Sequence, residues 1–358
     1  MGKALIAMSG GVDSSVAVRL MQEQGEECVG VTMSLFPKSA GVDDTAAARD
    51  VAKRLGVPFY VADYQDEFKK EVIESFIQAY LHGQTPNPCV VCNKKLKFGK
   101  LLDRAAELEC DKIVTGHYAK IEKDTETYLL KKAEDRKKDQ SYMLYRLSQE
   151  QLGKSRFPLG TYKKTEIREM AEAWGFVNAR KKDSQDICFV PDGDYARVIE
   201  EYTKEGSRPG PFIDEDGTVL GTHRGIIHYT VGQRRGLGIA APEPLYVCQI
   251  NPEQNTVVLG HREKLFSREL DADEFNWIAG NVPNQPVRCR AKIRYHHEEE
   301  PCTVYPEGED SAHIVFEAPQ RAITPGQSVV LYDGDVVPIP RLPLFSNVIA
   351  VPAVKPYQ

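Results

Sequence analysis

The chain has 358 residues, of which 41% are hydrophobic and 27% charged, and its formal net charge is −6 at pH 7. Eight cysteines in this length exclude a disulfide scaffold, while the size predicts two or three domains with sizeable cores. The sequence contains no apolar run of membrane-spanning length and begins at once with a predicted strand, so we expect a cytoplasmic protein without a signal peptide or membrane partner.

The first half of the chain alternates apolar runs with amphipathic stretches, which is the pattern of an α/β domain with a parallel sheet. The predicted strands are 4–8, 28–33, 59–62 and 112–116, and the predicted helices begin after residue 11 and cover 43–55, 67–81 and 94–109. Ligands bind at the carboxyl ends of such strands. We therefore expect the Ser9–Ser15 loop, Met33 and the Gly116-His117 turn to meet at one crevice.

The segment Ser9–Ser15 reads SGGVDSS and joins the first strand to the first helix. Its glycines let backbone N–H groups approach an anion, and the serine hydroxyls and the helix N-terminus add donors. The loop lacks the Gly-Lys-Ser/Thr ending of a Walker A motif and is not a dinucleotide fingerprint. It resembles the PP-loop of the ATP pyrophosphatase superfamily, which implies cleavage of ATP between the α- and β-phosphates and therefore adenylation.

A Cys-x-x-Cys pair, Cys89 and Cys92, follows two prolines. We predict that the prolines keep the chain non-helical up to Pro88 and that Asn93 caps the next helix. That helix N-terminus and the lysines after it would favour the thiolate of Cys92 and make it reactive. Four interpretations remain open here: a zinc site, structural thiols, a redox dithiol, or a catalytic nucleophile that doubles as a metal-cluster ligand.

From Pro209 onward, Pro and Gly punctuate short Val-, Ile- and Tyr-rich segments such as Gly225–Val231, which indicates β-rich modules. A second set of strands is predicted from Trp277, in a number that suits a small barrel. The predicted domains are a catalytic α/β domain at 1–205, a central β-rich domain at 206–272, and a C-terminal β-barrel domain at 273–358 with an irregular proline-rich tail from 338.

A third motif, Lys181–Phe189, reads KKDSQDICF and contains Cys188. Together with SGGVDSS and NPCVVCN, and with TVGQRRGLG and RAITPGQ in the β-rich part, it resembles the tRNA-specific 2-thiouridylases over nearly the whole chain. Several specific motifs, which occur in the same order as in that family, carry the resemblance. The resemblance implies a PP-loop domain followed by a tRNA-contacting β-rich domain and a β-barrel.

The resemblance also implies an activity, namely ATP-dependent 2-thiolation of the wobble uridine in tRNAs of the Lys, Glu and Gln type. ATP with Mg²⁺ would adenylate the uracil O2, with release of pyrophosphate and AMP, and Asp13 would anchor the magnesium. The catalytic cysteines would be Cys92 and Cys188, with Cys188 carrying sulfur as a persulfide. Cys92 would either attack the activated C2 or help to release the sulfur by forming a disulfide with Cys188. The residues that match the ATP-binding positions are Ala7, Met8, Ser9, Gly10, Gly11, Val12, Asp13, Ser14, Met33 and Gly116.

The partners implied are tRNA and a sulfur donor, either a cysteine desulfurase or a sulfur-relay protein. The net charge argues against a nucleic-acid partner, but four basic clusters could together line a groove for one. By matching, the contacts to the target base and the rest of the tRNA are Asn87, Pro88, Cys89, His117, Lys138, Asp139, Gln140, Arg294, Tyr295 and Gln327.

Two features depart from the family pattern. Position 89 is cysteine where many relatives carry aspartate, which leaves an iron–sulfur cluster on Cys89, Cys92 and Cys188 as an alternative to the persulfide route. The tail after Val337 is rich in proline, so a central closing strand is not expected there. Two other functions also stay open: a different adenylating PP-loop ligase, and a non-catalytic nucleotide-dependent RNA binder.

Overall fold

The computed structural model describes residues 2–36, 44–181, 187–204, 206–278, 282–337 and 349–350. These residues form two compact units. Within the described ranges, the first unit takes its residues from Met1–Val72, Cys89–Ser184 and Asp333–Arg341, and the second from Ile73–Pro88, Gln185–Tyr332 and Leu342–Gln358.

The first unit contains a five-stranded parallel sheet. In spatial order its strands are Phe59–Asp63, Glu27–Ser34, Lys3–Ala7, Lys112–Val114 and Ser155–Arg156. The chain first adds strands on one side of Lys3–Ala7 and then on the other, so the strand order reverses between Lys3–Ala7 and Lys112–Val114. In open sheets the ligand crevice lies at the carboxyl ends of the strands at such a reversal.

Helices cover this sheet because their apolar sides recur at helical spacing. Val16 and Val18 of the first helix pack in one buried cluster with Ile6 of the central strand. The helical segments are Val12–Glu23, Asp44–Leu55, Gln65–Phe68, Pro88–Cys92, Leu101–Glu107, Ser141–Leu144, Gln149–Gly153 and Lys164–Ala173, with π-helices at Lys69–Ile73 and Asn93–Lys100 and a 3-10 turn at Pro158–Thr161. A small antiparallel sheet consists of Ala119–Asp124, Thr127–Lys132 and Val336–Val337.

The second unit is mostly β-structure. Its helices are Glu74–Leu81 and Tyr195–Thr203, with 3-10 turns at Ile226–His228 and Arg262–Leu265. A four-stranded sheet runs in the order Tyr246–Asn251, Thr256–Gly260, Gly210–Ile213 and Val219–His223. A six-stranded antiparallel sheet runs in the order Phe266–Ala272, Ala312–Arg321, Glu300–Pro306, Val287–Lys292, Val329–Tyr332 and Ile349–Ala350.

The predicted fold class is confirmed, while individual elements differ. Gly225–Val231, which reads as a strand, begins with the 3-10 turn Ile226–His228. The strand Phe266–Ala272, which the sequence places in the central domain, pairs with Ala312–Arg321 of the six-stranded sheet. The proline-rich tail lies outside the described residues except for Ile349–Ala350, a two-residue edge strand against Val329–Tyr332.

None of the described helices is both long and apolar enough to cross a membrane.

Candidate active site

The loop between the first strand and the first helix is fixed by the neighbouring strand. The Met8 N–H donates to the Val31 carbonyl at 2.7 Å, and the Thr32 hydroxyl donates to the Met8 carbonyl at 2.6 Å. Gly10 adopts φ +69, and a Cβ there would lie 2.8 Å from the Cβ of Ala47. The loop therefore requires glycine at position 10 for both its conformation and its packing.

Serine side chains hold the start of the helix that follows. The Ser14 hydroxyl donates to the Gly11 carbonyl at 3.1 Å and accepts the Ser9 N–H at 3.2 Å, and the Ser15 hydroxyl donates to the same carbonyl at 2.9 Å. The helix then begins at Val12, directly after the loop. This strand, glycine loop and helix N-terminus is the geometry that binds phosphate groups.

A residue that the motif did not reveal also holds this loop. Asn178 is buried, and its side-chain amide donates to the Gly10 carbonyl at 3.1 Å and to the Ser15 hydroxyl at 2.9 Å. Its Oδ1 is buried and has no hydrogen-bond partner among the described residues. No sequence signal distinguishes this asparagine, because it lies 168 residues from Gly10.

The turn after the strand Lys112–Val114 touches the same helix. A Cβ on Gly116 would lie 3.0 Å from both the Cβ of Asp13 and the Ser14 nitrogen. Met33 lies near the carboxyl end of Glu27–Ser34, the strand beside Lys3–Ala7. The predicted nucleotide-binding segments therefore share the carboxyl edge of the sheet, with Gly116 and Asp13 in close approach at the reversal of strand order.

Asp13, the predicted magnesium anchor, carries two protein partners. The Lys164 ammonium lies 2.7 Å from Asp13 Oδ1 and 2.8 Å from Oδ2, and the Tyr118 hydroxyl donates to Oδ1 at 2.8 Å. Mg²⁺ is commonly held by one or two carboxylates together with phosphate oxygens and water. A single carboxylate at the start of a phosphate-binding helix therefore fits a magnesium ion that arrives with ATP.

The predicted environment of Cys92 is wrong. The helix begins at Pro88 and continues without a break through Asn93–Lys100 to Glu107, so Cys92 is its fifth residue and Asn93 lies inside it. Proline is favoured in the first turn of a helix, where its missing N–H costs nothing, and this is the reason the prolines do not delay the helix. The helix N-terminus therefore does not act directly on Cys92.

Burial favours the protonated form of the Cys92 thiol. Cys92 is a free, buried thiol, and burial raises its pKa, while the nearby Lys97 acts in the opposite direction. Cys89 and Cys188 are exposed. The thiol form of Cys92 is therefore favoured at neutral pH in this structure, contrary to the expectation from sequence.

We accordingly expect Cys92 to react slowly with iodoacetamide in the protein without ligands. Its rate should rise about tenfold per pH unit through the neutral range without a plateau, because the raised pKa leaves little thiolate there. Peptide mass spectrometry over time measures each cysteine, with the exposed Cys188 as the internal reference. Modification of Cys92 as fast as that of Cys188, or a plateau in its rate below about pH 8, would contradict a buried Cys92 thiol with a raised pKa.

No group of three or more His, Cys, Asp or Glu side chains is placed to hold a metal ion in the part of the chain that the structure describes. The set Cys89, Cys92 and Cys188, predicted as an alternative cluster site, is not among such groups there, and the cluster stays a prediction. Lys182 to Asp186 of the third motif lie outside the described residues.

His117, a predicted tRNA contact, is buried and directly follows Gly116, one of the residues predicted to bind ATP. Its Nδ1 lies 2.7 Å from the Thr115 hydroxyl, and its ring packs against Phe98 and Phe157 with centroids 5.8 Å away. Burial, with a smaller effect of Lys97, lowers the pKa of His117 well below its usual range. The imidazole is therefore neutral at physiological pH.

Two side chains of the predicted tRNA-contacting segment Lys138-Asp139-Gln140 accept hydrogen bonds from neighbouring residues. Asp139 is buried, and its carboxylate accepts the Ala133 N–H at 2.8 Å and the Ser141 hydroxyl at 2.6 Å. The Gln140 Oε1 accepts the Tyr118 N–H at 2.9 Å. Within this structure, Asp139 and Gln140 support the loop, and their contact with tRNA stays a prediction.

In the second unit, the segment around Gln327 holds the loop before Asn87 and Pro88. The Gln327 amide donates to the Thr85 carbonyl at 2.6 Å, and the Thr85 N–H donates to the Pro325 carbonyl at 2.8 Å. A Cβ on Gly326 would lie 2.7 Å from the Thr85 nitrogen. Glycine is therefore required for this close approach.

Arg294 makes a similar set of contacts in the second unit. Its guanidinium donates to the carbonyls of Val231 and Ala322 and to the Thr324 hydroxyl. The ring of Tyr295 packs against His296 with centroids 4.6 Å apart. Arg294 thus ties together the loops that carry two of the sequence motifs, and its contact with tRNA also stays a prediction.

Three family models match successive parts of the chain. The "tRNA methyl transferase HUP domain" matches residues 2–192, the "tRNA methyl transferase PRC-barrel domain" 197–261, and the "Aminomethyltransferase beta-barrel domain" 267–337. The first of these covers more than half of the sequence. Their order agrees with the α/β part followed by the β-rich parts.

Curated relatives match along nearly the full length. The tRNA-specific 2-thiouridylase MnmA of Clostridioides difficile strain 630 is 48% identical over 346 residues, which cover 94% of this chain and 96% of the relative. The proteins of the same name from Acetivibrio thermocellus and Symbiobacterium thermophilum are each 47% identical over 351 residues; the matches cover 94% of this chain and 97% and 90% of the relatives.

Proposed function

The chain belongs to the tRNA-specific 2-thiouridylase family, and from this membership we propose which residues carry out each part of the reaction. It is a tRNA sulfurtransferase that acts by 2-thiolation. The observation that supports the assignment of roles is the close approach of Gly116 to Asp13 at the reversal of strand order, beside the glycine loop. That edge offers backbone N–H groups and a helix N-terminus to the phosphates of a nucleoside triphosphate.

Adenylation is the first step of the proposed mechanism. The Ala7–Ser14 segment, Met33 and Gly116 bind ATP, and the backbone N–H groups of the loop orient its phosphates. The uracil O2 attacks the α-phosphorus, the bond to the β-phosphate breaks, and pyrophosphate leaves. Magnesium bound with ATP would neutralise phosphate charge, and Asp13 would hold it. In the adenylated base the uracil O2 is bonded to AMP, and AMP is a better leaving group than an oxide.

Sulfur transfer is the second step. The terminal sulfur of a persulfide on Cys188 attacks C2 of the activated base, and AMP leaves with the former O2. Cys92 then attacks the sulfur of Cys188, which releases the thiocarbonyl and forms a disulfide. A thiol reductant restores both cysteines. Cys92 needs its thiolate only at this stage, which agrees with a buried thiol in the ligand-free protein.

The tRNA contacts proposed for this step are carried over from the family by matching. Asn87, Pro88 and Cys89 would meet the target base, and the support of Thr85 by Gln327 would keep that loop in place. A flipped base would be held by stacking and edge contacts, as in other base-modifying enzymes. A cysteine desulfurase or a relay protein would supply the sulfur, and the cytoplasm is the proposed compartment because tRNA substrates and thiol reductants occur there.

The proposal is tested with purified protein, tRNA lacking the modification, ATP, Mg²⁺, and a cysteine desulfurase with cysteine. Nucleoside mass spectrometry should find 2-thiouridine at the wobble position, together with AMP and pyrophosphate. Parallel reactions replace ATP with S-adenosylmethionine, since the family models carry the name of a methyl transferase. Methylated nucleosides in that reaction, or no 2-thiouridine in the first, would overturn the proposal.

A further inference from the structure

Lys164 makes a buried ion pair at the start of the nucleotide-binding helix. Its ammonium lies 2.7 and 2.8 Å from the two carboxylate oxygens of Asp13, and its side chain is only 9% exposed, against 31% for Asp13. It also lies 5.6 Å from the centre of the Tyr118 ring. A lysine that is this deeply buried is costly unless a charge compensates it, and the carboxylate does so here.

The position of Lys164 is set by rigid structure. It is the first residue of the helix Lys164–Ala173, and its N–H donates to the Asp135 carboxylate at 3.0 Å. Ile167 and Ala171 of that helix are buried in the same cluster as Val16 of the nucleotide-binding helix. A packed helix, rather than a mobile surface segment, therefore holds the Lys164 ammonium beside the Ser9–Ser15 loop.

The phosphate loop itself contains no lysine or arginine between Ser9 and Ser15. ATP brings several negative charges to this loop, and adenylation moves charge onto the departing pyrophosphate. Backbone donors and a helix N-terminus supply only partial positive charge. Lys164 places a full positive charge within one side-chain length of the helix start.

We propose that Lys164 is a catalytic residue of adenylation that binds the phosphates of ATP, and that Asp13 holds its ammonium in place until the nucleotide arrives. The proposal rests on the proposed function. When the O2 to α-phosphorus bond forms and the bond to the β-phosphate breaks, pyrophosphate leaves with the electron pair, and the N3 proton of uracil passes to water. Lys164 takes no part in the proton transfer and stabilises the charge on the phosphates.

Two substitutions separate this role from a structural ion pair. Lys164→Gln removes the cation, whereas Asp13→Asn keeps the cation and releases it from its carboxylate. A phosphate-binding lysine predicts opposite effects on the binding of pyrophosphate, namely weaker in Lys164→Gln and tighter in Asp13→Asn. A purely structural pair predicts the same direction for both variants, because each breaks the pair.

The test is calorimetric titration of the full chain with pyrophosphate alone, in a chelator that removes divalent cations. We expect pyrophosphate to bind about tenfold more weakly to Lys164→Gln and roughly threefold to tenfold more tightly to Asp13→Asn. Lys154→Gln is the matched control, since Lys154 pairs on the surface with Glu150 at 2.8 Å. The affinity of this variant for pyrophosphate should equal that of the wild-type protein. Thermal melting records the folding of each variant.

Weaker binding in both variants, or no change in either, would overturn the role of Lys164. If Lys164→Gln does not fold, Asp13→Asn decides alone: tighter binding supports the proposal, and equal or weaker binding overturns it. The titration needs no tRNA, sulfur donor or turnover. Failure of the thiolation assay with wild-type protein would therefore remove the proposed function without being confused with a negative result in the titration.

Discussion

Replacement of Cys188 with serine is expected to lower 2-thiouridine formation by a factor of about 1,000 or more. Serine cannot carry a persulfide, so the terminal sulfur that attacks C2 is lost. The nucleotide-binding loop is untouched, and adenylation of the base should continue, seen as a burst of tRNA-dependent pyrophosphate release. With sulfur-labelled cysteine and a cysteine desulfurase, wild-type protein should carry label that thiols remove, and Cys188→Ser should not.

Cys110→Ser is the matched control for this experiment. Cys110 is half-buried, its sulfur lies 3.7 Å from the Leu108 carbonyl at the end of a helix, and it belongs to none of the three sequence motifs. Its variant should keep both the label and the activity. Transfer of labelled sulfur to tRNA by Cys188→Ser would show that another group carries the sulfur, and the proposed sulfur-transfer step would have to be abandoned.

Gly10→Ala is expected to weaken ATP binding by about a hundredfold. Gly10 adopts φ +69, and the added methyl group would meet the Cβ of Ala47 at 2.8 Å and the Ala48 nitrogen at 3.1 Å. Relief of this clash requires movement of the loop whose N–H groups meet the phosphates. ATP affinity is measured by calorimetry and the free energy of unfolding by urea titration.

Gly25→Ala separates the loss of folding free energy from the loss of ATP affinity. Gly25 has a similar φ of +80, but nothing lies within 4 Å of its added Cβ. Both variants should lose roughly 1 to 2 kcal/mol of folding free energy from the left-handed backbone. Only Gly10→Ala should lose ATP affinity, and equal affinity in the two variants would show that the loop does not bind the nucleotide.

Local patterns predict the framework of the site well. The Ser9–Ser15 motif lies between one strand and one helix, so its conformation depends mainly on neighbouring residues, and the structure has the loop and helix at the predicted positions. The parallel sheet likewise follows from the alternation of apolar and amphipathic segments. The meeting of this loop with Gly116 then follows from the general rule for ligand crevices in open sheets.

Side-chain partners from distant parts of the chain could not be predicted. Lys164 lies 151 residues from Asp13, and Asn178 lies 168 residues from Gly10, and neither belongs to a motif. Their roles follow from helix packing, which a single sequence does not reveal. Asp139 belongs to a segment predicted to contact tRNA, yet it is buried, and its carboxylate accepts the Ala133 N–H and the Ser141 hydroxyl.

The error at Cys92 has a local cause. The prediction from sequence treats both prolines as barriers to helix formation, whereas Pro88 begins the helix because its first position needs no N–H donor. That shift of a few residues moves Cys92 from the predicted helix N-terminus to the fifth residue of the helix, where it is buried, and burial reverses the expected direction of its pKa change. The chemistry assigned to Cys92 therefore requires a change in its surroundings when substrates bind.

The central claim is that ATP activates the base by adenylation of the uracil O2. The most direct measurement uses tRNA whose wobble uridine carries ¹⁸O at O2, with ATP, Mg²⁺ and the sulfur-donor system, and follows the isotope by mass spectrometry. Adenylation at O2 predicts one ¹⁸O in the phosphate of AMP for each 2-thiouridine formed. Appearance of the isotope in water or in pyrophosphate, with unlabelled AMP, would contradict it.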